Sequence, residues 1–212
     1  MEAVQISVGE ESVSALLIRP ADPRALYVFA HGAGAGMTHK AMESNAQGLA
    51  DRGIATLRFQ FPYMEKGSKR VDSPKVAHGA VRAAVAEAGR LAPDLPLFAG
   101  GRSFGGRMTS QAQATGPLHN VRGLAFLGFP LHPAGKPGIE RADHLAQVQI
   151  PMLFVSGSRD ALAEMELIKP VIKSLGDLAT LHVVDGADHS FRTAAMESEA
   201  LDALVEWMGS LS

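Results

Sequence analysis

Gly101-Arg102-Ser103-Phe104-Gly105 sets a serine between two glycines, each two residues away. Before it runs Leu95-Pro96-Leu97-Phe98-Ala99-Gly100, a short apolar segment that reads as a buried strand; after it, Arg107 to Ala114 reads as helix. A strand turning through Gly-x-Ser-x-Gly into a helix is a nucleophile elbow. The small flanking residues let the backbone take a strained turn that lifts the hydroxyl clear of the sheet. The helix that follows aims free N–H groups and its positive dipole end at the place where an oxyanion would form.

A serine hydroxyl is a poor nucleophile at neutral pH, so an imidazole must take its proton, and a carboxylate must hold that imidazole in the right tautomer. Two downstream residues fall where strand ends are expected: Asp160, after Gly157-Ser158-Arg159, and His189, in Gly186-Ala187-Asp188-His189-Ser190-Phe191. Taken alone, Asp160 reads first as a cap for the following helix, and Asp143 is the rival acid. Asp188 lies too close in sequence to reach the ring of His189 and is read as fixing the turn. His39, His78, His119 and His144 fall on or beside helices and His182 inside a strand, so none competes with His189. His39, His78 and His132 lack the spacing of a zinc site, and neither a metal nor a cofactor is expected.

The elements that must position these groups follow from periodicity. Residues 4–8 and 13–18 read as an opening hairpin, and Ala25–Ala30 as a strand buried on both faces. It leads into His31-Gly32-Ala33-Gly34-Ala35-Gly36, a loop whose glycines let the backbone approach a ligand. The N–H of Ala33, with Gly34 as the fallback, is the expected partner of the Phe104 N–H in an oxyanion hole. The competing reading, a phosphate-binding loop, fits neither Gly-x-Gly-x-x-Gly nor a P-loop. His31 is read as a structural hydrogen-bonding residue.

A helix over 38–51, a strand over 54–59, a polar loop over 60–70 and a helix from Ser73-Pro74 come next. Further strands are expected over 121–129, 151–157 and 180–184, with helices over 161–175, kinked or split at Pro170, and over 194–211. The alternation predicts a doubly wound, mostly parallel α/β sheet with helices on both faces. Residues 130–143 are rich in Pro and Gly and leave room for a short loop but no cap domain. Substrate-binding candidates are Gly34, Arg58, Tyr63, Arg102, Arg107 and His132, the arginines hinting at a carboxylate or phosphate.

At 212 residues, 46% hydrophobic and 20% charged, the chain has the composition of one ordinary globular domain, residues 1–212. A formal net charge of −2 gives no reason to expect nucleic acid or an anionic membrane as partner. The absence of cysteine excludes thiol catalysis and fits a reducing compartment. Met1-Glu2-Ala3-Val4-Gln5 has neither the basic nor the apolar part of a signal peptide, and no apolar run approaches the roughly 18 residues of a spanning helix. A cytoplasmic protein is expected.

The motifs His31-Gly32-Ala33-Gly34, Gly101 to Gly106, Gly157 to Asp160 and Gly186 to Phe191 together resemble the α/β-hydrolase superfamily. The order Ser…Asp…His is that of this superfamily. The resemblance covers roughly residues 13–210 and points to the small, capless, dienelactone-hydrolase-like branch. Dienelactone hydrolases proper use a cysteine nucleophile, which this chain lacks. Arg58 to Met64 and Ser103 to Met108 also resemble bacterial hydrolases related to eukaryotic chromatin-complex subunits. The resemblance implies a serine hydrolase acting on a small ester or thioester through an acyl-enzyme at Ser103; the alternative it leaves is an idle binding or scaffold protein.

Overall fold

A computed structural model describes all 212 residues. The chain opens with an antiparallel hairpin, β1 (Glu2–Val8) and β2 (Glu11–Ile18), then β3 (Ala25–Ala30), helix α1 (Lys40–Ala50) and β4 (Ile54–Phe59). After them come the short helix α2 (Pro62–Glu65), α3 (Pro74–Leu91), β5 (Leu97–Arg102), α4 (Phe104–Thr115) and β6 (Val121–Leu127). A 3-10 helix, Glu140–Gln147, leads to β7 (Met152–Gly157), α5 (Met165–Ser174), β8 (Ala179–Val184) and α6 (Ala194–Ser210).

All eight strands join one sheet in the order β1-β2-β4-β3-β5-β6-β7-β8. The first two pairings, β1 with β2 and β2 with β4, are antiparallel and the rest parallel. Every residue of β3, β4 and β7 is buried, as continuous apolar runs covered on both faces require. One face carries α3, α4 and α5, packed through residues such as Val81, Met108 and Ile168; the other carries α1 and α6, packed through Met42, Leu49, Leu201 and Leu204. From β3 the chain steps to β4 on one side and then to β5 on the other. This reversal opens a crevice at the carboxyl ends of β3 and β5, the ordinary ligand position in open α/β sheets.

Several elements differ from those expected. The elbow strand runs Leu97–Arg102 instead of 95–100, because its ladder with β6 continues to Arg102 opposite Leu127. The stretch 60–70 is not all loop: Pro62 starts α2, and Phe61 and Tyr63 are buried. The helix expected from Ala161 begins at Met165, because the Asp160 side chain accepts the Leu162 N–H and holds residues 160–163 in a turn. Pro170 lies inside α5 without splitting it. No cap is inserted after β6, where a loop and the 3-10 helix cover the distance to β7. No helix is long and apolar enough to cross a membrane.

Candidate active site

The turn between β5 and α4 is forced by contact. A Cβ at Gly101 would stand 2.3 Å from the Ala30 carbonyl oxygen, and one at Gly105 would stand 2.5 Å from the same atom. Only glycine allows β5 and α4 to press this closely on β3. Ser103 takes φ 49° and ψ −115°, a positive φ that L-residues adopt at a cost of roughly 1–3 kcal/mol. That conformation ends the strand, starts the helix and presents the hydroxyl above the sheet.

His189 meets it. The Ser103 Oγ lies 3.0 Å from His189 Nε2, and His189 Nδ1 lies 2.8 Å from Asp160 Oδ2. An ionised Asp160 only accepts, so Nδ1 carries the proton it donates, and Nε2 is left as acceptor for the serine hydroxyl. Asp160 is 2% exposed, and its other oxygen accepts the Leu162 N–H at 2.9 Å. The loops bearing acid and histidine are tied to each other: Arg159 N–H donates to Ala187 O, and Gly186 N–H donates to Ser158 Oγ. Asp188 accepts the Ser190 N–H in a local turn, and the rival Asp143 stands exposed in the 3-10 helix.

The loop after β3 is held by two side chains. His31 Nε2 accepts the Phe61 N–H at 3.1 Å, which leaves the proton on Nδ1, donated to Gly32 O at 2.8 Å. Burial pushes this imidazole down to about 4, so it is neutral. Tyr63 Oη donates to Ala33 O at 2.7 Å, and burial, with Asp72 nearby, pushes this phenol up to about 12. Trans peptide planarity then turns the N–H of Ala33 and of Gly34 away from the carbonyl each is paired with.

Ser103 and His189 line a cavity of about 410 Å³ with Gly32, Ala33, Gly34 and Arg102. It is roomier than the clefts beside Asn120 (340 Å³) and Trp207 (280 Å³). Its far wall is the start of α1, where His39, Ala41 and Met42 face it. His39 was expected only as a helix-associated residue; it caps α1 by accepting the Ala41 N–H on Nδ1. A histidine in a cap position gives no sequence signal for this, since the preferred caps are Ser, Thr, Asp and Asn.

The other substrate-binding candidates divide. Arg58 is 1% exposed and is not among the cavity-lining residues; it donates to Met37 O at 3.0 Å, so it braces the segment before α1 and is corrected to a structural residue. Tyr63 is likewise turned into the protein, toward Ala33 O. His132 is fully buried and away from the cavity, bonded to Pro133 O at 2.9 Å and Glu164 at 2.5 Å, which removes it from the substrate-binding set. Arg102 lines the cavity, but its guanidinium is engaged by Asn45 Oδ1 at 2.9 Å and Ser190 O at 3.2 Å and lies over the Phe191 ring. It joins α1, the elbow and the histidine loop. Arg107 stands outside this cavity, over the ring of Phe104.

The sequence pattern of a family described as alpha/beta hydrolase domain matches residues 23–210. Two Mycobacterium tuberculosis proteins, named as candidate phosphoribosyl transferases, are 30% identical over 211 residues, covering 97% of this chain and 45% of theirs. The chain thus spans about half the length of these curated relatives. A dienelactone hydrolase from Anabaena variabilis superposes with a TM-score of 0.82 at 22% identity, covering 99% of this chain and 97% of that one. A serine hydrolase without a lid from Xanthomonas campestris gives 0.72 at 19% identity, over 99% and 92%. At such identities the likeness is one of fold.

Proposed function

The chain belongs to the α/β-hydrolase family, and from that premise we propose that it is a serine hydrolase cleaving a small ester or thioester. The observation that carries this reading is the continuous relay from Ser103 through His189 to Asp160, at 3.0 and 2.8 Å, opening on the cavity. In the proposed mechanism Ser103 Oγ attacks the carbonyl carbon while His189 Nε2 takes the hydroxyl proton. The carbonyl electrons move onto oxygen, and the backbone N–H groups of Phe104 and Ala33, or Gly34 in its place, receive that oxyanion. Each such donor is worth on the order of 3 kcal/mol in the transition state. The oxyanion collapses, the bond to the leaving oxygen or sulfur breaks, and the imidazolium protonates the leaving group. Water then enters, gives its proton to His189 and cleaves the acyl-enzyme by the same steps in reverse order. Buried Asp160 holds the tautomer and stabilises the imidazolium.

The fit of substrate to site is that of a compact molecule, since no inserted cap encloses a long chain. No cofactor enters the proposed steps. The transferase name of the mycobacterial relatives belongs to proteins of which this chain spans 45%, and it is not carried over.

The test is labelling with a fluorophosphonate, wild type beside Ser103→Ala, read by mass spectrometry. Stoichiometric labelling on the Ser103 peptide, lost in the variant, is expected. A folded wild type that takes no label would overturn the reading in favour of a binding or scaffold protein. Turnover of p-nitrophenyl esters and of thioesters then separates the two bond types.

A further inference from the structure

Of the three arginines near the elbow, two are engaged by hydrogen bonds: Arg58 by Met37 O, although its Nε is buried without a partner, and Arg102 by Asn45 and Ser190. Arg107 is not. It follows Ser103 by one turn of α4, its N–H bonded to Ser103 O, and its guanidinium lies 5.8 Å over the Phe104 ring. Its Nε is shut off from solvent without a hydrogen-bond partner. The charge that bears on it is another cation: burial and then Arg141 hold the guanidinium below its usual range, and no carboxylate offsets them. Arg141 itself donates only to His132 O, at 2.9 Å.

The polar side chains hydrogen-bonded along this stretch of α4 supply no negative charge. Ser110 is fully buried and its hydroxyl donates to Arg107 O at 2.9 Å, so His144, 2.7 Å away, donates Nε2–H to it. Ser110 and His144 are therefore not a second nucleophile and base. His78 lies 3.3 Å from Gln111, one turn further along α4. Burial, followed by Arg107 and His78, pushes the His144 imidazole down to about 4, and His78 is lowered as well, so both are neutral. Two cations thus act on each other, one of them with an orphaned buried donor, in a protein whose formal net charge is −2. A buried donor left without a partner is unfavourable.

The geometry points to Arg107, with Arg141 beside it, as a binding site for an oxyanion that is part of the substrate, a carboxylate or a phosphate. The planar guanidinium suits either group. The site lies on the α3 side of the elbow, where His78 of α3 meets Gln111 of α4, whereas the cavity lies on the α1 side. A substrate whose carbonyl sits at Ser103 has one arm in the cavity and the other, carrying the anion, against α4. The substrate class is then a compact anionic ester or thioester with its charge a few bonds from the scissile carbonyl. This rests on the serine-hydrolase reading and narrows it.

The test compares monomethyl glutarate with neutral methyl valerate, following methanol release by wild type, Arg107→Gln, Arg107→Lys and Arg141→Gln. Charge-assisted hydrogen bonds of this kind correspond to roughly 10- to 100-fold in kcat/KM. Wild type is expected to prefer the anionic ester by that factor. Arg107→Gln should collapse the ratio, Arg107→Lys should restore part of it, and Arg141→Gln should lower it less. Inhibition by inorganic phosphate set against inhibition by glutarate tells which anion fits better. Turnover of both esters without preference, or a ratio unchanged in Arg107→Gln, overturns the inference while the serine-hydrolase reading stands. If wild type turns over neither ester, calorimetric titration with inorganic phosphate and with glutarate decides. Binding lost in Arg107→Gln sustains the site, and no binding to wild type overturns it.

Discussion

Ser103 pays for its position in backbone strain, and the hydrogen bonds around it define what each neighbour is expected to do. With p-nitrophenyl acetate as substrate, Ser103→Ala and His189→Ala should each remove turnover to background. Asp160→Asn keeps the shape but permits the wrong imidazole tautomer, so a loss on the order of 10³- to 10⁴-fold in kcat is expected. Asp143→Asn, altering an exposed residue of the 3-10 helix, should stay within about twofold of wild type. A silent Asp160→Asn beside a crippled Asp143→Asn would reverse the assignment of the acid. Tyr63→Phe tests the second donor. Its hydroxyl holds the Ala33 carbonyl at 2.7 Å, and without it the loop that carries the Ala33 and Gly34 N–H groups is free to turn. A drop in kcat of roughly tenfold with KM little changed is expected, a fraction of the loss for removing a donor outright. A change confined to KM would place Tyr63 against the substrate instead.

At the scale of elements, three contacts set the geometry that these side chains report. Helix α4 presses on β3 through Gly105, where a Cβ would lie 2.5 Å from Ala30 O and 2.6 Å from His31 O. Gly105→Ala must therefore lift the helix from the sheet, dragging Ser103 and the Phe104 N–H with it. A fall in thermal midpoint of several degrees, together with loss of fluorophosphonate labelling, is expected. An unchanged midpoint would mean that the helix N-terminus gives way easily. Arg102 ties α1 to the histidine loop through Asn45 and Ser190, and the acid loop is bonded to the histidine loop through Arg159 and Ser158. Residues from β5, β7 and β8 are thereby held in register across the carboxyl edge of one sheet.

For the whole molecule, burial of an uncharged imidazole links stability to pH. His31 is fully buried, with its pKa pushed from the ordinary 6.5 down to about 4. The unfolded chain binds this proton more readily than the folded one, so stability rises with pH over that interval. The contribution is complete above about pH 6.5, is lost as pH falls toward 4 and changes no further below it. The span corresponds to about 3 kcal/mol. Urea midpoints measured from pH 7 to 4 should fall in wild type and fall less steeply in His31→Gln, after allowance for that variant's lower starting stability. Parallel slopes would show that other groups carry the acid sensitivity.

Periodicity and glycine spacing were enough to specify the alternating α/β order, the elbow at Ser103 and the strand-end positions of Asp160 and His189, because these are local demands of the backbone. A buried parallel strand needs a continuous apolar run, and a tight strand-to-helix turn needs glycines, whatever the rest of the chain does. The exact ends of β5 and α5 were not legible, since a strand ends where its ladder ends and a helix starts where a side chain captures the first N–H. The fates of the charged and aromatic side chains were also decided only on folding. Arg58, Arg102 and Arg107 look alike in the sequence. One is buried to hold Met37, one is stretched between Asn45 and Ser190, and one is left without a partner. Tyr63, expected on a polar loop, instead turns inward to Ala33. Such differences depend on partners far away along the chain, and only the tertiary structure brings those within reach of a hydrogen bond.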